Sequence, residues 1–535
     1  EVTVNELKPE ITEDKCKNFC DSIYELIDKN DLKTVEAYKD IYLSSADTLI
    51  KNEDRDSLVY VAKIASVLGE LAYYSESLCY YMKVLKIRKK VLPENHPDIA
   101  TLYNNVGCAY DDLGDYKKAL EYKLKALAIR EKVLPENHPD IAASYNNVGG
   151  AYNDLGEHKK TLEYCLKALA IREKVLPKNH PDIATSYNNV GVAYDKLGDH
   201  KKALEYQLKA LAIGEKVLPE NHPDIATSYN NVGGAYDKLG DYKKTLEYYL
   251  KALAIREKVL PENHPNIAAS YNNVGCTYYK LGDHKKALDY YLKALATQEK
   301  VLPENHPDIA ASYNNIGYAY GKLGKYKKEL EYILKALVIR EKVLPENHPD
   351  IAGSYNNVGD AYGELGEHKK ELEYYLKALA IREKVLPENH PDIATSYNNV
   401  GYAYGKLGDH KKALEYKLKA LVIQEKVLPE NHPDIATSYN NVGYAYGELG
   451  EHKKALEYKL KALAIQEKVL PENHPDIATS YNNVGYAYGE LGDNKKKLDY
   501  YLKALAIREK VLPENHPNIA ASYNNVGCTY YKLGD

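Results

Sequence analysis

The chain has 535 residues, 72 basic against 77 acidic, with 44% hydrophobic residues. Near-neutral charge without a Lys/Arg cluster excludes the electrostatic footprint of a nucleic-acid or anionic-membrane binder. No apolar stretch approaches a membrane span, so neither nucleic acid nor membrane is an expected partner. Seven scattered cysteines (Cys16, Cys20, Cys79, Cys108, Cys165, Cys276, Cys528) read as free thiols of a reducing, cytoplasmic compartment. Cys16 and Cys20 stand four apart on an expected helix with no His nearby, so no metal and no cofactor is expected.

Residues 1–55 match nothing later in the chain. "CDSIYELIDK" and "VEAYKDIYLSSADTLI" look helical and are expected to cap the N-terminal end of an array. Residues 56–97 are a degenerate copy of a 42-residue unit. Ten full copies follow over 98–517, from Asp98 to the one beginning at Asp476, and an eleventh, 518–535, breaks off after one helix. The chain starts at Glu1 without Met and stops mid-repeat, so it reads as a fragment. An array of this kind behaves as one elongated body whatever its length.

Each unit predicts two helices. In the copy from Asp140 to Pro181 the first opens after His-Pro-Asp, with Pro suited to the first turn and Asp to the positive helix end. It closes at Leu155-Gly156, where glycine can take the left-handed cap conformation. Glu157, or Asp199 one unit on, is placed to cap the second helix, which runs until Pro177 stops it. Such a unit buries its apolar stripes only by stacking on neighbours.

Tyr145, Val148, Gly149 and Tyr152 have the spacing of a tetratricopeptide repeat's first helix, with Tyr where that family often has Trp, and Leu166, Ala168 and Leu169 suit packing positions of its second. The sequence resembles that family, and the 42-residue length with "NHPDIA" and "ALAIREKVL" resembles its kinesin light chain-like subgroup. The resemblance implies an all-α fold, a helix-turn-helix repeat solenoid wound into a superhelix whose first helices line a concave groove. Some units depart from the family pattern. Glu329, Glu371 and Lys497 stand where a small residue is expected, and Lys123, Gln207 and Lys417 where an aromatic is. Looser, more solvated packing is expected there, with Lys stems lying over apolar surface.

The most regular polar feature is "NN", from Asn104-Asn105 to Asn524-Asn525. Ile141, Tyr145, Val148, Tyr152 and Leu155 form one stripe at helical spacing, the core face. Gly149 lies at its edge, permitting close helix contact, and Asn146 and Asn147 fall on the opposite side. The resemblance implies that amides on this side grip a peptide backbone, at Asn105, Asn147, Asn189, Asn231, Asn273, Asn315, Asn357, Asn399, Asn441 and Asn483. An interrepeat ladder of Asn amides is the other reading. Discrimination is expected from the residue just after the motif's Gly and from the residue three further on. The groove is then acidic near Asp111, Asp112, Asp154 and Asp195, favouring basic ligands, and Tyr-rich near Tyr318, Tyr402, Tyr444 and Tyr486, anchoring apolar ones. Tyr accompanies Gly in these two columns, which suggests that one ring fits if its neighbour is small. Equally, the rings pack on the next helix and help to set curvature.

"GYAYGKLG" at 317–324 lacks the spacing and the Ser or Thr of a phosphate loop, and the 17 His fall in linkers or at second-helix starts. No catalytic motif stands out, so no enzyme is expected. Two functions follow: a scaffold binding a protein or peptide segment in its groove, or a rod built by end-to-end self-assembly of near-identical repeats. A ligand-sensing array of a larger protein is a third.

Overall fold

The structure, a computed structural model, describes residues 39–52, 57–71 and 73–534. Most of the expected capping segment, with Cys16 and Cys20, lies outside them. The described residues are all-α: α1 (Lys39–Asn52), α2 (Ser57–Glu70) and α3 (Tyr74–Val91) precede the regular helix pairs. A typical pair is Pro139–Asp154, 16 residues, and His158–Val175, 18 residues. The chain divides into two compact units, Glu1–Pro261 and Glu262–Asp535. Within each, consecutive helices pack in chain order. No helix among the described residues is long and apolar enough to cross a membrane.

Local chemistry sets the helix ends as expected, with one addition. Each first helix is capped by the linker histidine itself: Nδ1 of His138 accepts from the backbone N–H of Asp140 at 3.2 Å. The same bond closes all eleven first helices, Pro97–Asp112 through Pro517–Leu533. Gly156 ends its helix at φ 74°, a conformation that costs other residues strain. Leu176, held extended by the following Pro177, ends the second helix at ψ 154°. Asp199 caps through Oδ1, accepting from the Lys202 N–H at 3.2 Å, whereas Glu157 makes no side-chain cap bond.

The core forms between repeats as much as within them. Leu127 of one repeat packs with Ile141, Ala142, Val148, Tyr152, Ala168 and Ile171 of the next. Each such Leu or Ile contributes about 1.5–3 kcal/mol through burial. Two polar ties cross the same boundary: Arg130 Nη1 donates to Ser144 Oγ at 2.7 Å, and the Tyr145 hydroxyl donates to Glu131 at 2.7 Å. Equivalent ties include Arg382–Ser396 and Tyr397–Glu383. Where Gln replaces Arg, the serine donates instead, as Ser312 does to Gln298 at 2.6 Å.

The glycine of "NNVG" marks the helix crossing, as expected. A Cβ added at Gly359 would lie 2.6 Å from the Tyr375 ring. The looser packing expected at unusual second-helix residues is not found. Lys123, Lys417 and Lys459 are buried, their stems lying against the crossing glycines. Glu371 is 2% exposed and Glu329 9%. Gly363 and Gly321 of the same repeats leave open the space that these carboxyl groups fill.

Candidate functional site

The Asn pair divides its labour. The first Asn turns into the junction: Asn314 and Asn356 are buried, and each amide oxygen accepts from the guanidinium of its own repeat, Arg340 and Arg382, at 2.8–2.9 Å. The expectation that both amides face away from packed surface is therefore corrected for Asn314 and Asn356. A first helix in the stack touches neighbours on two sides, so only a narrow strip stays open. The second Asn borders that strip and is half-buried, from Asn105 and Asn147 to Asn483. Ladder bonds link adjacent repeats, with Asn147 Nδ2 donating to Asn104 Oδ1 at 2.7 Å and Asn525 Nδ2 to Asn482 Oδ1 at 2.9 Å. The side chains of Asn189, Asn231, Asn315, Asn357, Asn399, Asn441 and Asn483 hydrogen-bond to none of the described residues.

The residue after the motif's glycine faces solvent. Tyr318, Tyr402, Tyr444 and Tyr486 are 38%, 51%, 59% and 54% exposed. Two rings also cover a buried cation of the preceding repeat, with Lys417 Nζ 5.4 Å from the Tyr444 centroid and Lys459 Nζ 5.4 Å from Tyr486. Burial pushes both ammonium groups below the usual lysine range. The glycine three residues on has a different partner from the one expected. Gly489 lies under the Lys497 stem, as Gly363 does under Glu371, so the small residue makes room for the second helix and not for the tyrosine.

The acidic stretch of the first unit is less available than its sequence implies. Asp111 is taken by the Lys123 ammonium, and Asp195 Oδ1 lies 2.8 Å from His200 Nδ1. Burial raises the Asp111 carboxyl, with Lys123 opposing.

A second acidic site lies in the Tyr-rich stretch of the second unit. A cavity of about 850 Å³ is lined by residues of four repeats, among them Tyr279, Tyr318, Glu329, Asp360, Glu371 and Tyr402. Glu371 accepts from or shares a proton with His368 Nδ1 at 2.7 Å, and Asp360 accepts from the Tyr375 hydroxyl at 2.5 Å. Glu329 differs: its Oε2 is buried without a hydrogen-bond partner. Burial, reinforced by Glu364 and Asp360 and opposed by Lys322, pushes its carboxyl up to about 7. The signal in the sequence was Glu in place of a small residue, paired with Gly eight positions earlier, at Gly321–Glu329 and Gly363–Glu371.

Stacked helix pairs with one open strip of first-helix side chains define an all-α helical repeat protein. The tetratricopeptide repeat model matches residues 57–132, 140–216, 224–300, 287–342, 308–384, 392–468, 448–510 and 476–535. The chain belongs to the tetratricopeptide repeat family. Among curated proteins none matches it. Of solved structures, a Podosopora anserina protein assigned as a kinesin light chain, with nearly identical TPR-like repeats, is 27% identical. That match covers 38% of this chain and 97% of the other, at a TM-score of 0.36. BtubC (BKLC) from P. vanneervenii is 23% identical over 43% of this chain and 89% of its own, at 0.37. The apo form of RapI is 17% identical over 70% and 98%, at 0.52, a likeness of fold.

Proposed function

We propose that this protein is a non-catalytic interaction scaffold that holds an extended segment of a partner protein along the open strip of its first helices. One observation carries the proposal: large aromatic rings stand half-exposed at the same place in successive repeats, at Tyr402, Tyr444 and Tyr486. Isolated exposed apolar residues need no explanation, whereas a column of them at one repeat spacing supports a binding role. The unbonded amides of Asn399, Asn441 and Asn483 border this column and offer a donor and an acceptor to passing backbone. The five described cysteines are free thiols, in keeping with work in a reducing, cytoplasmic setting.

The test is selection of twelve-residue random peptides displayed on phage against the 535-residue chain. Binders are expected to weaken at least about tenfold on Tyr402→Ala/Tyr444→Ala/Tyr486→Ala, with helicity by circular dichroism retained. Equal binding by the folded triple variant, or a selection that enriches nothing, rejects the scaffold reading.

A further inference from the structure

The cavity of the second unit contains a polar group that its own fold leaves unsatisfied. Glu329 is nine-tenths buried, lines the cavity, and has an Oε2 without a partner. A buried carboxylate left so costs stability unless something else answers it. Its neighbours do not answer it: Asp360 is engaged with Tyr375 and Glu371 with His368, both within the same wall. The charged and titratable groups lining the cavity are Glu329, Asp360, Glu364 and Glu371 against Lys322, Lys406 and His368, with tyrosines between them. The carboxylates are spread around the wall, and no group of three or more acidic, His or Cys side chains among the described residues converges as a metal site. A dispersed set of acids between aromatic faces suits an extended organic cation, which takes charge from the carboxylates and stacking from the rings.

We propose that this cavity receives one basic side chain, arginine foremost, of the bound partner segment, with Glu329 and Asp360 as counter-charges and Tyr279, Tyr318 and Tyr402 as walls. The inference rests on the segment-binding reading and gives it a specificity pocket. It adds a basic side chain to the apolar or aromatic ones expected from sequence for the Tyr-rich stretch. Arginine meets this wall better than lysine because its planar fork bonds two oxygens and stacks on a ring at once.

The probe is a capped five-residue peptide, arginine between alanines, compared with its citrulline counterpart by titration calorimetry on the whole chain at pH 8. The arginine peptide is expected to bind at least about tenfold more tightly, the difference one buried charge pair makes. Glu329→Ala, which installs the residue already present at the equivalent Ala287, Ala413 and Ala455, brings the two peptides together. Asp360→Asn gives a second, independent loss. Near pH 7 the arginine peptide releases protons from the wild type, seen as heat that depends on the buffer, and releases none from Glu329→Ala. Equal affinity for both peptides, or a preference unchanged in folded Glu329→Ala, overturns the pocket. Phage binders without any basic residue, together with that equality, leave the scaffold reading standing. An arginine preference with no selected segment supports the pocket and rejects the scaffold.

Discussion

Glu329 ionises near 4.5 in an unfolded chain and at about 7 in the folded one. Between those values the native state holds a proton that the unfolded state has released. The stability contribution of this group is therefore complete below about pH 4.5 and lost as pH rises through 7. Glu329→Gln removes the charge that burial penalises. Its melting temperature is expected to overtake that of the wild type as pH climbs from 5 to 8, by the equivalent of about 2 kcal/mol after allowing for water in the cavity. Parallel curves for the two proteins across that range contradict the assignment. The tyrosines work in two directions at this scale. Tyr444 presents one part of its ring to solvent while the ring also shields Lys417, so an aromatic at this place serves binding and packing together.

At the level of the helix pair, the crossing glycines hold the geometry. Gly359→Ala drives a methyl into the Tyr375 ring and is expected to cost about 1–3 kcal/mol, the usual range for overpacking. Urea titration of a chain carrying this change, alongside Gly150→Ala where nothing lies within 4 Å, separates steric cost from any general effect of alanine. The helices themselves were readable because Pro, Gly and Asp punctuate them at fixed offsets and act on their own neighbours. The core stripe was readable too, since Ile141 and Val148 follow one helical period. The ties Arg130–Ser144 and Tyr145–Glu131 were not, because their partners lie 14 residues apart on separate helices and obey no period. The burial of Asn314 escaped for a similar reason: a single helical wheel describes one packing face, and this helix has two. Glu329 looked like a solvated exception because its room is supplied across a turn, by Gly321.

Across each unit, stability is a sum of repeat terms and nearest-neighbour junctions. Most junctions carry Arg or Gln facing a serine, but Gly214 stands at that place in the repeat beginning at Asp182. An added Cβ there would meet only ordinary contacts, the nearest atom 3.9 Å away on Ile225, and Ser228 of the next repeat is buried opposite. Gly214→Arg is expected to stabilise by about 1–2 kcal/mol, combining helix propensity with one charge-assisted bond. Slower hydrogen exchange in Pro223–Lys238 is the measurement, and unchanged exchange there refutes the tie. The same gap has a mechanical consequence. Within the first unit, a chain stretched by its ends is expected to part at Gly214 before Arg130 or Arg172 releases its serine. Load on this unit would then be limited by one missing side chain, and restoring it moves the first rupture elsewhere.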